Sequence, residues 1–459
     1  MKHVSPTTKQ ATDSTETNSS FAVAGLNHTN TKRSGVIAAT LFSALTLAAC
    51  GTATVASSAP ATASAAKTVS IHLWESHNGG PVGGAMTALV NQFNASHPTV
   101  HVTIVVTKAS SKLIAATAAG NPPTLAEISH YDGKLVKAGA LVPWNSYMNT
   151  SSIVTQSNLY PVVWKNGEVN GQHYRIMAGV KISEVFYNEA LFQKAGITAP
   201  PTTDAQLASD AAKIQALGVT AIGWKDSSAH ILPTFLSNGG TLLAHSNSIG
   251  HSVNFTSPAA TATFSFFRSL YSANELQFHH GTTLREDLAA GKLAMIDGTS
   301  AGYQKVLDAV GGKFPVGAFV EPAGSTGKPA NLAQGLGFVL PKGHSKAQDQ
   351  AAFTFVQWFL AGPQQAYWSE HTGYAPETVS GASAIPASFL NGHPGLQASM
   401  AAVASPQTVA RPVSDSYNEV QAVLDTAFFN AVTGKQTVAA ALATLQSQGN
   451  SYMSGASEL

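Results

Sequence analysis

Val69-Ser70-Ile71-His72-Leu73-Trp74-Glu75, Val100-His101-Val102-Thr103-Ile104-Val105-Val106 and Thr124-Leu125-Ala126-Glu127-Ile128-Ser129 are three short apolar runs. Val69, Ile71 and Leu73 alternate with polar neighbours, and Val100, Val102, Ile104 and Val106 repeat that spacing, so both predict strands. Between them Met86, Leu89, Val90 and Phe93 fall at i, i+3, i+4 and i+7, one face of a helix that His97-Pro98 stops. An Ala-rich helical stretch runs to Asn121-Pro122-Pro123, and the third strand follows. Strand, helix, strand, helix, strand predicts an α/β protein with parallel pairing and helices on both sheet faces.

Working outward, the mixed character persists. Val185-Phe186-Tyr187-Asn188 reads as a strand end before a helix, and 205–217 reads as helix. Leu293 to Ile296 is a short strand after the turn at Gly291, and Leu336 to Leu340 is another. Ala352, Phe355, Val356 and Phe359 repeat the helical spacing, as do Val420, Val423, Leu424 and Ala427. At 459 residues the chain exceeds one ordinary core, which predicts two domains. Apolar residues make up 44%, enough for a packed globule. Charged residues are only 11% and the net charge is +1, with no basic stripe, which argues against nucleic acid as a partner.

The single cysteine, Cys50, ends Leu47-Ala48-Ala49-Cys50, behind the basic pair Lys32-Arg33 and an apolar stretch from Val36. That order describes an export signal too short to span a bilayer. With the cysteine at the junction it resembles a bacterial lipoprotein signal, which implies lipidation of Cys50 and a lipid-anchored, extracytoplasmic protein. The other reading of Cys50 is a small buried core residue. Residues 1–50 are then an extension plus signal peptide, and the Ala/Ser/Thr-rich residues 51–67 a flexible tether.

Four stretches carry a family likeness. They are Ile71-His72-Leu73-Trp74 with its Gly-rich turn; Phe186-Tyr187-Asn188 with Phe192 to Ile197 and Pro200-Pro201; Leu288 to Met295; and Gly335-Leu336-Gly337-Phe338 with Thr372-Gly373-Tyr374 downstream. In order and spacing they resemble extracellular solute-binding proteins of ABC importers, in the sugar-type branch with the glycerol-3-phosphate-binding and maltose-binding proteins. Pro200 to Asp204 departs from the pattern, since relatives commonly carry a Trp there. The resemblance implies a two-lobed periplasmic-binding-protein fold, type II-like, with a ligand cleft between lobes joined by hinge crossings. It puts 68–178 and 335–376 in an N-terminal lobe and 179–334 and 377–459 in a C-terminal one. It further implies a carbohydrate-like ligand (sugar, oligosaccharide or glycerol-phosphate-like), ABC permease subunits as partners, a membrane met through the N-terminal lipid, and a monomer.

Ligands of open parallel sheets bind beyond the carboxyl ends of strands. That rule selects Trp74, Glu75, His77 and Asn78 after the first strand, where an aromatic face meets hydrogen-bonding groups; the same loop could simply cap the next helix. It selects His130 and Tyr131 after the third strand, where the resemblance implies a carboxylate in place of His130, and where Asp132 could be only a helix cap. Trp224, in a polar loop, is placed by the resemblance near a ligand-stacking Trp. Asp297, Thr299 and Ser300 precede a helix; Gln334 and Gly335 bring backbone close; Tyr374 adds an amphipathic aromatic. Arg411 lies where the resemblance puts an Arg, though about two residues out of register.

No Gly-x-Ser-x-Gly elbow, His-Glu-x-x-His motif or P-loop is present, so the expectation is a protein without catalysis, cofactor or metal. Glu275, His279 and His280 come nearest to a zinc set, but adjacent histidines on a helix point about 100° apart. The alternative function is a secreted glycan-active hydrolase, for which Glu75 and Asp297 would be the carboxylate pair.

Overall fold

The computed structural model describes residues 67–129, 133–225, 227, 230–243, 252–279, 282–414 and 416–454. Cys50 and the tether 51–66 lie outside them, as do His130, Tyr131, Asp132 and His280. β1 (Val69–Glu75), β2 (Val100–Val106) and β3 (Leu125–Ile128) form where the alternation predicts them. β1 lies between the other two and runs parallel to both, with Ile71 opposite Val102 and Leu73 opposite Leu125. The helix Gly80–Ser96 buries Met86, Leu89, Val90 and Phe93. These side chains share a core with Ile71, Leu73, Phe355 and Phe359 on one sheet face. Ala126 and Ile128 point to the opposite face and meet Leu113 and Leu135. Successive strand residues alternate sides, so both faces need covering, and helices supply it.

A two-residue pair, β4 (Glu168–Val169) and β5 (Gln172–His173), precedes β6 (Arg175–Lys181). One residue, Ile182, then separates β6 from β7 (Ser183–Asn188) in a second sheet. That sheet adds β8 (Thr220–Trp224), β9 (Leu276–Phe278), β10 (Leu293–Thr299) and β11 (Val316–Val320), in the order β11-β7-β10-β8-β9. β12 (Asn331–Val339) and β13 (Thr408–Ala410) return to the first sheet, whose order is β13-β12-β3-β1-β2 with β6 also on β12.

The parallel expectation holds for β1, β2 and β3 and for β8, β9 and β10. It does not hold for the connecting strands: β12 runs antiparallel to β6 and β3, and β7 runs antiparallel to both β10 and β11. A strand that carries the chain from one sheet to the other enters its new sheet without a helical crossover, so nothing forces it parallel.

Each sheet has its own core. Trp144, Phe338, Phe353 and Trp368 belong to the first, and Trp224, Phe235, Phe264 and Phe428 to the second. The chain leaves the first sheet at Ile182 and is back in it by Asn331. The chain around Pro376 keeps contact with the first sheet. Ala375 N–H donates to the Val180 carbonyl at 2.7 Å, which ties this segment to β6, and Val403 still packs in the first core. Val420, Leu424 and Phe428 of the helix Tyr417–Val432 enter the second core.

Candidate functional site

β6 and β12 pair antiparallel with Lys181 opposite Gln334 and Gly335 opposite Val180, and the register shifts between Leu336 and Gly337. Beside this pairing lies a cavity of about 70 Å3 lined by Ser129, Asn166, Arg175, Lys181, Gln334, Gly335, Tyr374 and Arg411. Close backbone approach builds it. A Cβ on Gly337 would strike the Arg175 side chain, so glycine there lets the guanidinium lie across β12. Arg175 donates to the Gly335 carbonyl at 2.8 Å, the Ile128 carbonyl at 3.3 Å and Asn166 Oδ1 at 2.5 Å. Its charge is spent holding three strands and a turn together. Tyr374 stacks on Trp368 with ring centroids 5.9 Å apart, and burial pushes its phenol well above the usual range, Glu127 and Glu377 adding to the effect.

Lys181 and Arg411 are different. The Lys181 amine has no hydrogen-bond or ion-pair partner among the described residues, and burial holds it below the usual lysine range, with Lys225 and Arg411 repelling it. Arg411 donates to Asn418 Oδ1 at 3.0 Å and Gln421 Oε1 at 2.8 Å and lies 4.6 Å from the Tyr417 ring centre, all neutral groups. Burial lowers its pKa as well. Of the three cations that line the cavity, Lys181 and Arg411 thus have no described carboxylate on them, an arrangement that favours an incoming anion.

Two further groups sit at strand ends. Glu75 at the end of β1 and Glu127 in β3 flank His77, whose Nδ1 is 3.4 Å from Glu75 Oε2 and 3.5 Å from Glu127 Oε2. Glu127 and then Glu75 raise the His77 pKa to about 9, while burial raises that of Glu127. In the second sheet, Asp297 in β10 accepts from the Lys225 N–H at 2.7 Å and lies 2.8 Å from His230 Nδ1. Glu321 nearby is buried and held well above the carboxylate range by desolvation, with Asp297 and Asp204 adding.

Residues 88–390 match the family described as bacterial extracellular solute-binding protein. The chain belongs to that family. No curated protein sequence matches this solute-binding protein. Solved structures do. The cyclic alpha-maltosyl-1,6-maltose binding protein from Arthrobacter globiformis is 21% identical with a TM-score of 0.74, over 84% of this chain and 99% of that one. The sugar-binding protein MalE from Xanthomonas citri is 19% identical with a TM-score of 0.74, over 84% and 97%. UgpB from Mycobacterium tuberculosis, solved with glycerophosphocholine, is 19% identical with a TM-score of 0.71, over 84% and 98%. The fold of this solute-binding protein is therefore two-lobed α/β.

Of the residues the sequence singles out, Gln334, Gly335, Tyr374 and Arg411 come together at the cavity. Glu75 and His77 join Glu127, and Asp297 joins His230, so the carboxylates that a hydrolase would pair belong to two separate groups. Ser300 is buried and donates its N–H to the Ile182 carbonyl, while Thr299 pairs with Ser183. Asn78 is exposed, and Trp74 is half-buried against the cluster of Leu113 and Leu135.

Trp224 corrects the sequence reading. It is 1% exposed and packs edge-on to Phe267 at 4.9 Å in the second core. Its polar successors mislead, because the strand face on which a residue lies, not its neighbours, decides burial. Trp224→Phe should lower stability by about 1–3 kcal/mol in chemical denaturation and leave solute affinity unchanged.

The sequence reading does not single out Lys181, Arg175 and Asn166, which line the cavity, or Glu127, which faces His77. Lys181 had a readable signal: a lone cation closing the otherwise apolar run Ile176 to Ile182. Glu127 had none, since one Glu in a short strand reads as a solvent-facing residue.

Proposed function

We propose that this protein captures a polyhydroxylated solute carrying an acidic group, a sugar acid or glycerol-phosphate-like molecule, outside the cytoplasm and delivers it to an ABC permease. The observation that carries this reading is the Lys181–Arg411 pair bordering a cavity with no described carboxylate to neutralise it. Ring stacking against Tyr374 and hydrogen bonds from Gln334 suit the hydroxylated part. Among the names of the similar structures, the maltose-type sugar matches the hydroxylated part alone, and glycerophosphocholine also carries a phosphate. Cys50 is the proposed lipid anchor, and the protein works as a monomer.

Capture requires motion. A cavity of about 70 Å3 is far smaller than the ~300 Å3 and upward of typical ligand pockets. The lobes therefore part to admit the solute and close over it, the hinge movement known for periplasmic binders. Ile182 and the stretch between β11 and β12 are the proposed hinges. Lys134 and Glu419, 3.5 Å apart on helices of the two lobes, form an exposed ion pair that helps hold the closed state by up to about 1 kcal/mol.

The test is calorimetry and thermal shift against neutral sugars, uronic acids and glycerol phosphates. An acidic solute at 100 times its Kd should stabilise the fold by about 2.7 kcal/mol. Lys181→Met should weaken that solute about 10- to 100-fold, the worth of a hydrogen bond to a charged group, and leave neutral sugars unaffected. Binding of neutral sugars alone, indifferent to Lys181→Met, would remove the acidic group from the reading. No binding by any of them, with no compaction in X-ray scattering, would remove the capture function.

A further inference from the structure

Glu127 sits in the middle of the first sheet, opposite Phe338 of β12, and is fully buried. Among the described residues neither of its carboxylate oxygens has a hydrogen-bond partner, and neither does His77 Nδ1, which faces it. Buried polar atoms of this kind are rare in native proteins, and each calls for an occupant or a partner. Glu75, the third member, is held by the His77 N–H, which donates to its Oε2 at 2.8 Å. One oxygen from each glutamate and one nitrogen from the histidine all lie within 4.8 Å of one another.

The separations suit an ion pair or a shared metal better than a direct hydrogen bond. A direct N–H···O bond would bring His77 Nδ1 to about 2.7–3.2 Å from an oxygen. The observed 3.4 and 3.5 Å exceed that range. A tetrahedral ion with ligands at about 2.0–2.2 Å sets its ligand atoms about 3.3–3.6 Å apart. Calcium could match such spacings with longer bonds, but hard cations take oxygen ligands, and an imidazole nitrogen favours a borderline metal.

We propose that Glu75, His77 and Glu127 form a binding site for a divalent metal of the zinc type. Three protein ligands leave the fourth position open to water or another small donor, and His77 is partly exposed, so the ion has a route in. The ion would clamp the loop after β1 onto β3. Ser129, two residues past Glu127, lines the cavity described above, so the clamp stiffens one wall of it. The site stands whether or not the solute assignment is correct. It also differs from Glu275, His279 and His280, the sequence's nearest approach to a zinc set.

The experiment titrates the chelator-stripped, full chain with Zn2+ by calorimetry and with Co2+ by visible absorption, beside Glu127→Gln and His77→Asn. One tight site per chain is expected, with the intense visible bands of tetrahedral Co2+, and each variant should weaken it at least about 10-fold. Circular dichroism checks that the variants fold. If one does not, Glu75→Gln and a Zn2+-dependent thermal shift of the unsubstituted chain carry the comparison. Failure of the unsubstituted chain to bind either metal overturns the site and leaves a protonated His77 between two carboxylates as the occupant. Equal binding by the substituted chains, or an octahedral Co2+ spectrum, overturns it too, by assigning the metal to surface histidines.

Discussion

Gly335→Ala should abolish stable folding, or lower stability by more than about 4 kcal/mol, a size reserved for substitutions with a specific structural fault. The fault here is double. Gly335 has φ +142°, a backbone region that residues with a Cβ rarely adopt. An added Cβ would also run into the Gly179 carbonyl oxygen, which belongs to the backbone of β6 and cannot swing aside. Relief requires β6 and β12 to separate, and this pair lies where the chain passes between the sheets and where the cavity is built. The comparison is Gly120→Ala. Gly120 has φ +70° with nothing within 4 Å of an added Cβ, so only the conformational cost of about 1–2 kcal/mol applies. Chemical denaturation of both variants checks this, and a Gly335→Ala protein as stable as Gly120→Ala would refute it.

The second large effect is on pH dependence. Burial raises Glu184 to about 8 and Glu377 to about 8, each only partly opposed by hydrogen bonds, and raises Asp204 to about 7. Between the ordinary carboxylate range and those values the folded chain keeps protons that the unfolded chain has released. Stability then falls as pH rises, because the unfolded state binds fewer protons. The contribution is fully present below about pH 4.5 and gone above about pH 8. His173 works the other way: burial lowers its pKa, so acid destabilises through it, but only below the usual histidine range. One histidine does not offset these buried carboxylates. Unfolding free energy should therefore be several kcal/mol higher near pH 5 than near pH 8. Glu184→Gln should flatten the profile, since the amide does not titrate and can still accept from Ser399. Denaturant titrations at pH 5, 6.5 and 8 check both, and a protein more stable at pH 8 contradicts the assignment.

Much of the fold is legible residue by residue. Ile71 and Leu73 alternate because a pleated strand points successive side chains to opposite faces, and Met86 to Phe93 recur at 3.6-residue spacing for an equally local reason. The site is legible only in part. Gln334 and Gly335 could be chosen because glycine lets backbone approach a ligand, Tyr374 as an amphipathic aromatic, and Arg411 only through the family resemblance. Trp224 could not be placed, because a tryptophan before Lys225 reads the same whether its strand face is covered or open.

Sequence alone settled the α/β class and the parallel β1–β3 unit, which rest on periodicity within a few dozen residues, and the solute-binding likeness, which rests on the order of motifs spread from Ile71 to Tyr374. Tertiary structure decided the chemistry of the site. Lys181 meets Arg411 across 230 positions of chain, and His77 meets Glu127 across 50, because sheet pairing sets those neighbours. Whether a charged side chain finds an opposite charge, a like charge or nothing depends on which strands lie side by side, and that is a property of the assembled sheets.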